Sequence, residues 1–143
     1  MIVPDVNVLL HAHRSDSPDH VVCRQALEKL LASSASFGLS PLVLSRFVRV
    51  ATHPRVFDPP DTLEQALAFC DFLLGQPQAI VLRPGRRHWE LFSQMCLRAN
   101  ARGNLVADAY HAALVVEQGG EWLTLVRDFA RFAELRWRTP DSL

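Results

Sequence analysis

The feature of this sequence that most restricts its fold is a regular alternation of short apolar runs with longer helical segments. The longer segments repeat their apolar residues with a helical period, as Val22, Ala26 and Leu30 do in the second of them. Alternating strands and helices predict an α/β fold, with a mostly parallel sheet of four or five strands and helices on both faces. The short apolar runs place the strands at residues 1–3, 37–39, 79–82, 122–126 and 135–137.

Capping residues and turn residues set the limits of the predicted helices. If Asp61 is the cap of the fourth helix, Glu64 completes a capping box, but Thr62 is an equally suitable cap. Gly103 is predicted to end the fifth helix. Six helices and a final helical turn follow from these signals: after Asp5, after Ser17-Pro18, from Ser40-Pro41 to about 51, after Asp61 or Thr62, at about 87–101, at 105–117 and at 129–132.

The length and composition predict one domain, spanning residues 1–143, that folds without disulfide bonds. Its three cysteines form no CxxC pair, which argues against a cysteine zinc site and indicates thiols in a reducing compartment. No apolar run approaches the roughly 20 residues of a membrane span, and the first residues lack the basic region of a signal peptide. We therefore expect a cytoplasmic protein that does not bind membranes.

The charges of the chain are balanced, with 15 Lys and Arg residues against 15 Asp and Glu residues. This balance argues against a protein that holds nucleic acid by bulk charge alone. All the basic residues except Lys29 are arginine, whose planar guanidinium suits paired hydrogen bonds to phosphate. Arginine-rich codon usage explains the same bias equally well, so the composition leaves both explanations open.

Polar residues stand where a parallel sheet binds its ligands, beyond the carboxyl ends of the strands. Asp5 closes the first predicted strand, with Asn7 two residues later, and Asp128 follows the fourth strand. Asp108 lies within an otherwise apolar helix, and Asn104 shares its face because the two are four residues apart. These positions make Asp5, Asp108 and Asp128 candidates for one acidic site.

Each of these acids also has a purely structural explanation. Asp5 and Asp128 are suited to capping the helical segments that follow them, and Asp108 fits a solvated acid on an outer helix face. Clustered carboxylates, however, repel one another unless a cation lies between them, and oxygen ligands suit Mg²⁺ or Mn²⁺. Such an ion activates water and stabilises charge on a phosphodiester. The three acids together indicate metal-dependent phosphoryl chemistry and leave the substrate open.

Several segments, in order along nearly the whole chain, give the sequence a family resemblance. The opening MIVPDVNVLLHAH resembles the start of PIN domains, in which a strand is followed by Asp-x-Asn or Asp-x-Ser. The segment LVLSRFVRVATHPRVF is similar to a subgroup of VapC toxins, the ribonucleases of bacterial toxin–antitoxin pairs. Further matches occur at RPG with HWEL, at GNLVADA and at RDFARF, which begin at residues 83, 88, 103 and 127.

The resemblance implies a PIN-like domain that is an Mg²⁺- or Mn²⁺-dependent endoribonuclease toxin. It implies an RNA substrate, a homodimer, and a cognate VapB-type antitoxin that neutralises the toxin by inserting into the acidic site. Carried over by position, Asp5 is the first metal-binding acid and Asp108 the third, while Asn104 lines the same site. In the hypothesis of an active enzyme, Asp128 assists these residues. Candidate contacts to RNA phosphates are Arg46, Arg49 and Arg55.

Two positions depart from the family pattern. Arg46 stands where the family commonly has Glu, although the subgroup resembled here often lacks that Glu as well. Val126 stands two residues before Asp128, where the family usually has Asp. The sequence therefore leaves open an enzyme that relies on Asp128, a degenerate member, or an inactivated variant that binds RNA or antitoxin without cleaving. A flavodoxin-like nucleotide-binding protein is a further alternative, against which the missing Gly-rich phosphate loop argues.

The histidines and tryptophans have mainly structural interpretations. His11 and His13 are expected at the surface, on or just after the first helix. His111, three residues after Asp108, is a candidate for orienting a ligand. The tryptophans are predicted to lie in the core: Trp89, Trp122 and Trp137.

Overall fold

In the computed structural model, which describes residues 1–143, five short strands alternate with six helices. The strands are β1 (Ile2–Pro4), β2 (Phe37–Leu39), β3 (Ala79–Val81), β4 (Glu121–Leu123) and β5 (Trp137–Arg138). The helices are α1 (Val6–His13), α2 (His20–Ala32), α3 (Pro41–Ala51), α4 (Leu63–Leu74), α5 (His88–Ala99) and α6 (Asn104–Glu117), and 3-10 turns cover Arg127–Arg131 and Pro140–Ser142. The predicted α/β class is confirmed.

All strand pairs are parallel, and the strand order is β3-β2-β1-β4-β5. The chain thus winds from β1 outward in one direction to β3, then returns to the other side of β1 for β4 and β5. The order therefore reverses between β1 and β4, whose last residues, Pro4 and Leu123, are paired. A crevice beyond the carboxyl ends of two such strands is the usual ligand site of an open parallel sheet.

Helix α6 packs against the core through small side chains. Ala109, Ala112 and Ala113 are fully buried, which indicates close packing of this helix face in the core. The ring of His111 stacks on Trp122 of β4 at a centroid distance of 5.5 Å. Asp108, directly before this alanine face, is half-buried at its edge.

The structure selects one of the two predicted caps of α4 and corrects the predicted end of α5. Thr62, not Asp61, caps α4: its hydroxyl accepts from the Gln65 backbone N–H at 3.1 Å, and the Gln65 side chain accepts from Thr62 N–H at 2.9 Å. Asp61 is instead engaged with His13 and Arg14. Helix α5 ends earlier than predicted, because Asn100 adopts the left-handed conformation (φ 49°) that closes helices.

The predicted fourth strand is too long, since β4 ends at Leu123 rather than at Val126. Beyond Leu123, the backbone N–H groups of Leu125 and Val126 donate to side-chain oxygens of Asn7 and Thr124 instead of to a strand. Side chains of the candidate site thus replace ladder hydrogen bonds at this point.

The prediction that all three tryptophans are buried is wrong for one of them. Trp122 is 1% exposed, and Trp137 is half-buried, but Trp89 in the first turn of α5 is 72% exposed. His11 and His13 are half-buried rather than on the open surface. Cys23 and Cys70 are buried thiols, Cys96 is partly buried, and none forms a disulfide. None of the helices has the length and apolar character needed to cross a bilayer.

Candidate active site

Asp5 occupies the crevice between β1 and β4, and both of its carboxylate oxygens are engaged. Its Oδ1 accepts from the Val6 backbone N–H at 2.6 Å, so the predicted capping role is real. Its Oδ2 accepts from the Asn7 amide at 2.8 Å and from the Thr124 hydroxyl at 2.7 Å. Asp5 is only 5% exposed, and these bonds hold it in one orientation.

The electrostatic surroundings of Asp5 oppose its ionisation. Burial raises the pKa of the Asp5 carboxyl, and hydrogen bonds from Thr124, Val6 and Asn7 act in the opposite direction. The negative charge of Asp108 raises this pKa further. A second carboxylate close enough to raise the proton affinity of Asp5 favours a cation bound near both.

Asp108 lines a cavity of about 350 Å³ between α3 and α6. Burial raises the pKa of its carboxyl, the charge of Arg46 lowers it, and the charge of Asp128 raises it. No protein group donates a hydrogen bond to this half-buried carboxylate, which is therefore available to a ligand. The cavity is also lined by Leu42, Arg46, Arg49, Asn104, Ala107 and His111.

Most of the predicted site residues lie at or near the Asp108 cavity, and Arg55 does not. Asp5 and Asp108 are electrostatic neighbours, and Asn104 lies on the rim of the Asp108 cavity. Asp128 is exposed on the 3-10 turn after β4, yet close enough for its charge to affect Asp108. Arg55 is exposed and lies outside this cavity, whereas the two arginines of α3 line it: Arg46 and Arg49.

Arg46, which replaces the commonly expected acid, brings positive charge to the cavity. Its charge lowers the pKa of Asp108 and also that of His111. His111 is 5% exposed, its Nδ1 has no hydrogen-bond partner, and burial is the main reason that its pKa falls to about 4. The cavity therefore combines a carboxylate with two arginines and a neutral imidazole at neutral pH.

Val126 cannot supply the missing acid, but its position is close to the site. Its backbone N–H donates to Thr124 Oγ1 at 3.0 Å, and Thr124 in turn donates to Asp5. The Val126 side chain is 37% exposed. Residue 126 is therefore joined to Asp5 through a single hydroxyl.

The donor set suits a hard divalent cation that takes only part of its ligands from the protein. No group of three or more His, Cys, Asp or Glu side chains is arranged to hold a metal ion. Asp5 and Asp108 provide two carboxylates, one of them without a hydrogen-bond partner. Mg²⁺ is commonly bound by one or two carboxylates together with waters and substrate phosphates, so the residues present fit such an ion.

Thr124 is the site residue that sequence reasoning missed. Fully buried, it donates to Asp5 and accepts from Val126 N–H, while Asn7 Nδ2 also approaches its hydroxyl at 3.3 Å. The only available signal was its position, because it is the one hydroxyl residue in the apolar run that was predicted to be the fourth strand.

Comparison with known proteins identifies the family to which the chain belongs. The family model of the PIN domain matches residues 2–135, so the chain belongs to the PIN domain family. Ribonuclease VapC43 of Mycobacterium tuberculosis is 45% identical over 140 residues, covering 98% of this chain and 95% of that protein. The predicted resemblance to VapC toxins is thereby confirmed.

Solved structures agree with this fold. VapBC2 from Rickettsia felis, bound to a promoter DNA fragment, has a TM-score of 0.71 at 16% identity and covers 97% of this chain and 98% of that chain. VapC20 of Mycobacterium tuberculosis, a sarcin-ricin-loop-cleaving toxin, has a TM-score of 0.69 at 16% identity, covering 95% and 99%. At such identities these likenesses show the fold alone. The named relatives are ribonucleases, and the comparisons give no support to the degenerate alternative.

Proposed function

We propose that this chain is an endoribonuclease toxin that hydrolyses RNA with Mg²⁺ or Mn²⁺ held by Asp5 and Asp108. The observation that carries the proposal is that the Asp5 carboxylate at the switch point of the sheet is close enough to Asp108 for their charges to interact, while the Asp108 carboxylate is half-buried without a hydrogen-bond donor. The relatives named as ribonucleases support the substrate class.

Some residues of the site position the Asp5 carboxylate, and others supply positive charge to the substrate. Val6, Asn7 and Thr124 fix the Asp5 carboxylate through three hydrogen bonds, so little reorganisation is needed when substrate arrives. Arg46 and Arg49 line the cavity beside Asp108 and can donate to phosphate oxygens. When bound, the metal ion would supply charge stabilisation to the phosphodiester and would acidify a water molecule.

Asn104 and Asp128 have supporting roles in this proposal. Asn104 begins α6 on the cavity rim, where its amide can bind substrate. Asp128 adds negative charge near Asp108, which favours cation binding in the absence of an acid at position 126. Arg55 lies outside the cavity, so a phosphate contact there would involve RNA beyond the reacting group.

A VapB-type antitoxin is the proposed partner that controls this activity, since structural neighbours are VapBC complexes. The acidic crevice suits neutralisation by a cationic group inserted from the partner. We also propose that the chain forms a homodimer, which sedimentation equilibrium of the purified protein tests directly.

The decisive experiment measures cleavage of total cellular RNA in Mn²⁺ and in EDTA. The wild-type chain is expected to cut only with metal, and Asp5→Asn and Asp108→Asn are expected to abolish cutting while keeping a native thermal transition. Cleavage that persists in both variants, or that is unaffected by EDTA, contradicts the proposal. Val126→Asp tests the missing acid: if only that variant cuts, the natural chain is a disabled form.

A further inference from the structure

The loop between β3 and α5 concentrates positive charge on the surface. Residues 83–87 read Arg-Pro-Gly-Arg-Arg, and all five are exposed. No carboxylate lies within ion-pair distance of Arg83, Arg86 or Arg87. In a chain without net charge, these are three guanidinium groups within five residues that form no ion pair. The arginines that do form ion pairs lie elsewhere: Arg14, Arg24, Arg98 and Arg138.

The backbone of this arginine loop is held by Glu117, the last residue of α6. One Glu117 oxygen accepts from the Gly85 N–H at 2.7 Å, and the other accepts from the Arg87 N–H at 2.9 Å. A Cβ at Gly85 would lie 2.8 Å from Glu117 Oε2, so glycine permits this close approach. Because Glu117 binds the backbone, the loop is ordered while its guanidinium groups remain free.

Trp89 follows the arginine loop directly and presents a large aromatic surface to solvent, since it is 72% exposed. Its ring lies 5.4 Å from Phe92, and Phe92 lies 6.0 Å from Tyr110 of α6. The exposed indole therefore lies next to three arginines whose guanidinium groups form no ion pair. Indole faces of this kind stack on nucleobases.

Two neighbouring cavities lie between Arg83 of this surface and the acidic site. Tyr110 and Arg83 line a cavity of about 470 Å³ that also contains Leu42. Leu42 lines the Asp108 cavity as well, so the two depressions share a wall. The cavity lined by Arg83 of the arginine loop therefore adjoins the cavity lined by Asp108.

We propose that residues 83–89 bind single-stranded RNA flanking the cleaved phosphodiester. The three arginines contact phosphates, and Trp89 stacks on a base. This inference rests on the proposed ribonuclease function and adds a binding surface outside the metal site. Positive grooves with aromatic platforms are the usual means of holding single strands without reading their sequence.

RNA is favoured over a second copy of the chain as the occupant of this surface. In a two-fold dimer centred here, the arginine loop would face its own copy, and like charges would oppose each other. A polyanion instead neutralises all three arginines. Charge complementarity therefore selects nucleic acid.

The test measures binding separately from cleavage. A short fluorescein-labelled oligouridylate is titrated with the full chain in EDTA, and its anisotropy is followed at several salt concentrations. Trp89→Ala is expected to raise Kd at least about fivefold, while Trp89→Phe keeps an aromatic face and most of the affinity. The triple variant R83Q/R86Q/R87Q is expected to reduce the salt slope of log K by up to about 2, because each phosphate contact on a single strand contributes about 0.7.

Matched control variants remove an exposed aromatic side chain and three arginines from parts of the chain outside the arginine loop. Phe72→Ala deletes a 52% exposed aromatic side chain of α4. The triple variant R24Q/R98Q/R138Q changes the net charge equally but removes arginines that are paired with glutamates. Both controls are expected to bind the oligouridylate like the wild type.

Three results would overturn the inference. Wild-type affinity in both Trp89→Ala and the arginine-loop variant excludes this surface, and retained cleavage of RNA in Mn²⁺ would then leave the proposed function intact. A dimer that dissociates in Trp89→Ala without any change in oligouridylate binding assigns the surface to a second copy. Absence of both binding and metal-dependent cleavage in the wild type defeats the proposed function itself.

Discussion

The hydroxyl of Thr124 donates to Oδ2 of Asp5 across 2.7 Å, although the two residues are 119 positions apart in the chain. The same hydroxyl accepts from Val126 N–H, so one buried group joins the ends of β1 and β4 at the candidate site. Because these strands flank the switch point, the orientation of Asp5 depends on Thr124 as much as on its own helix.

Replacing Thr124 by Val is therefore expected to destabilise the protein and impair cleavage. Val matches the shape of Thr but removes one of the three hydrogen bonds to the Asp5 carboxylate and leaves the Val126 N–H without its partner, at a cost of about 1–3 kcal/mol in the free energy of unfolding. Thr124→Ser keeps the hydroxyl and serves as the control. Urea unfolding of both variants measures the difference, and equal stability would show that Asp5 does not depend on this bond.

His111 makes the stability of the fold depend on pH. Burial lowers its pKa to about 4 in the folded chain, against about 6.5 when unfolded. The unfolded state therefore binds more protons between these values, and this contribution to stability is present above pH 6.5 and is lost as pH falls towards 4. The loss amounts to about 3 kcal/mol at most.

His111→Phe isolates this effect because Phe can keep the stacking on Trp122. The acids that titrate in the same range are common to both proteins, so the difference between their unfolding curves reports His111. The wild type is expected to lose stability relative to His111→Phe as the pH is lowered from 7 to 4.5. Parallel curves would mean that the pKa of His111 is the same in the folded and unfolded protein.

Arg46 is expected to lower the pKa values of two neighbouring groups, the Asp108 carboxyl and the His111 imidazole. Its positive charge lowers the pKa of both Asp108 and His111, so Arg46→Gln should raise both values. Arg46→Lys retains the charge and should change them less. An NMR titration of the His111 imidazole in metal-free protein provides the measurement, and an unchanged value in Arg46→Gln would show that the guanidinium lies too far away to matter.

A second buried acid, Asp61, is expected to stabilise the fold without taking part in cleavage. It is 8% exposed and binds His13 at 2.5 Å and Arg14 at 2.8 Å. Asp61→Asn should lower the free energy of unfolding by about 2 kcal/mol, since hydrogen bonds to charged groups are involved. Asp16→Asn removes the exposed partner of the same arginine and should cost less than about 1 kcal/mol. Thermal melts compare the two, and equal losses would contradict the assigned role of burial.

The sequence by itself was sufficient to predict the class of fold and most of the candidate site. The alternation of strands and helices required a parallel sheet, and Asp5, Asp108 and Asn104 stood out because acids and amides are rare where apolar periodicity is strong. The limits of the helices were less predictable. Of the two predicted caps of α4, Thr62 takes the role, and Asn100 closes α5 in place of Gly103. Several adjacent residues were suited to each role, and only the packed structure selects one.

Only the tertiary structure decided the contacts between residues that are distant in the chain. Thr124 looked like an ordinary strand residue until β4 was placed beside β1, which brought its hydroxyl to Asp5. Trp89 was predicted to be buried because it is large and apolar, yet its place in α5 leaves it in solvent beside three arginines. Local propensity and periodicity depend on near neighbours, whereas burial and hydrogen-bond partners depend on which distant segments the fold brings into contact.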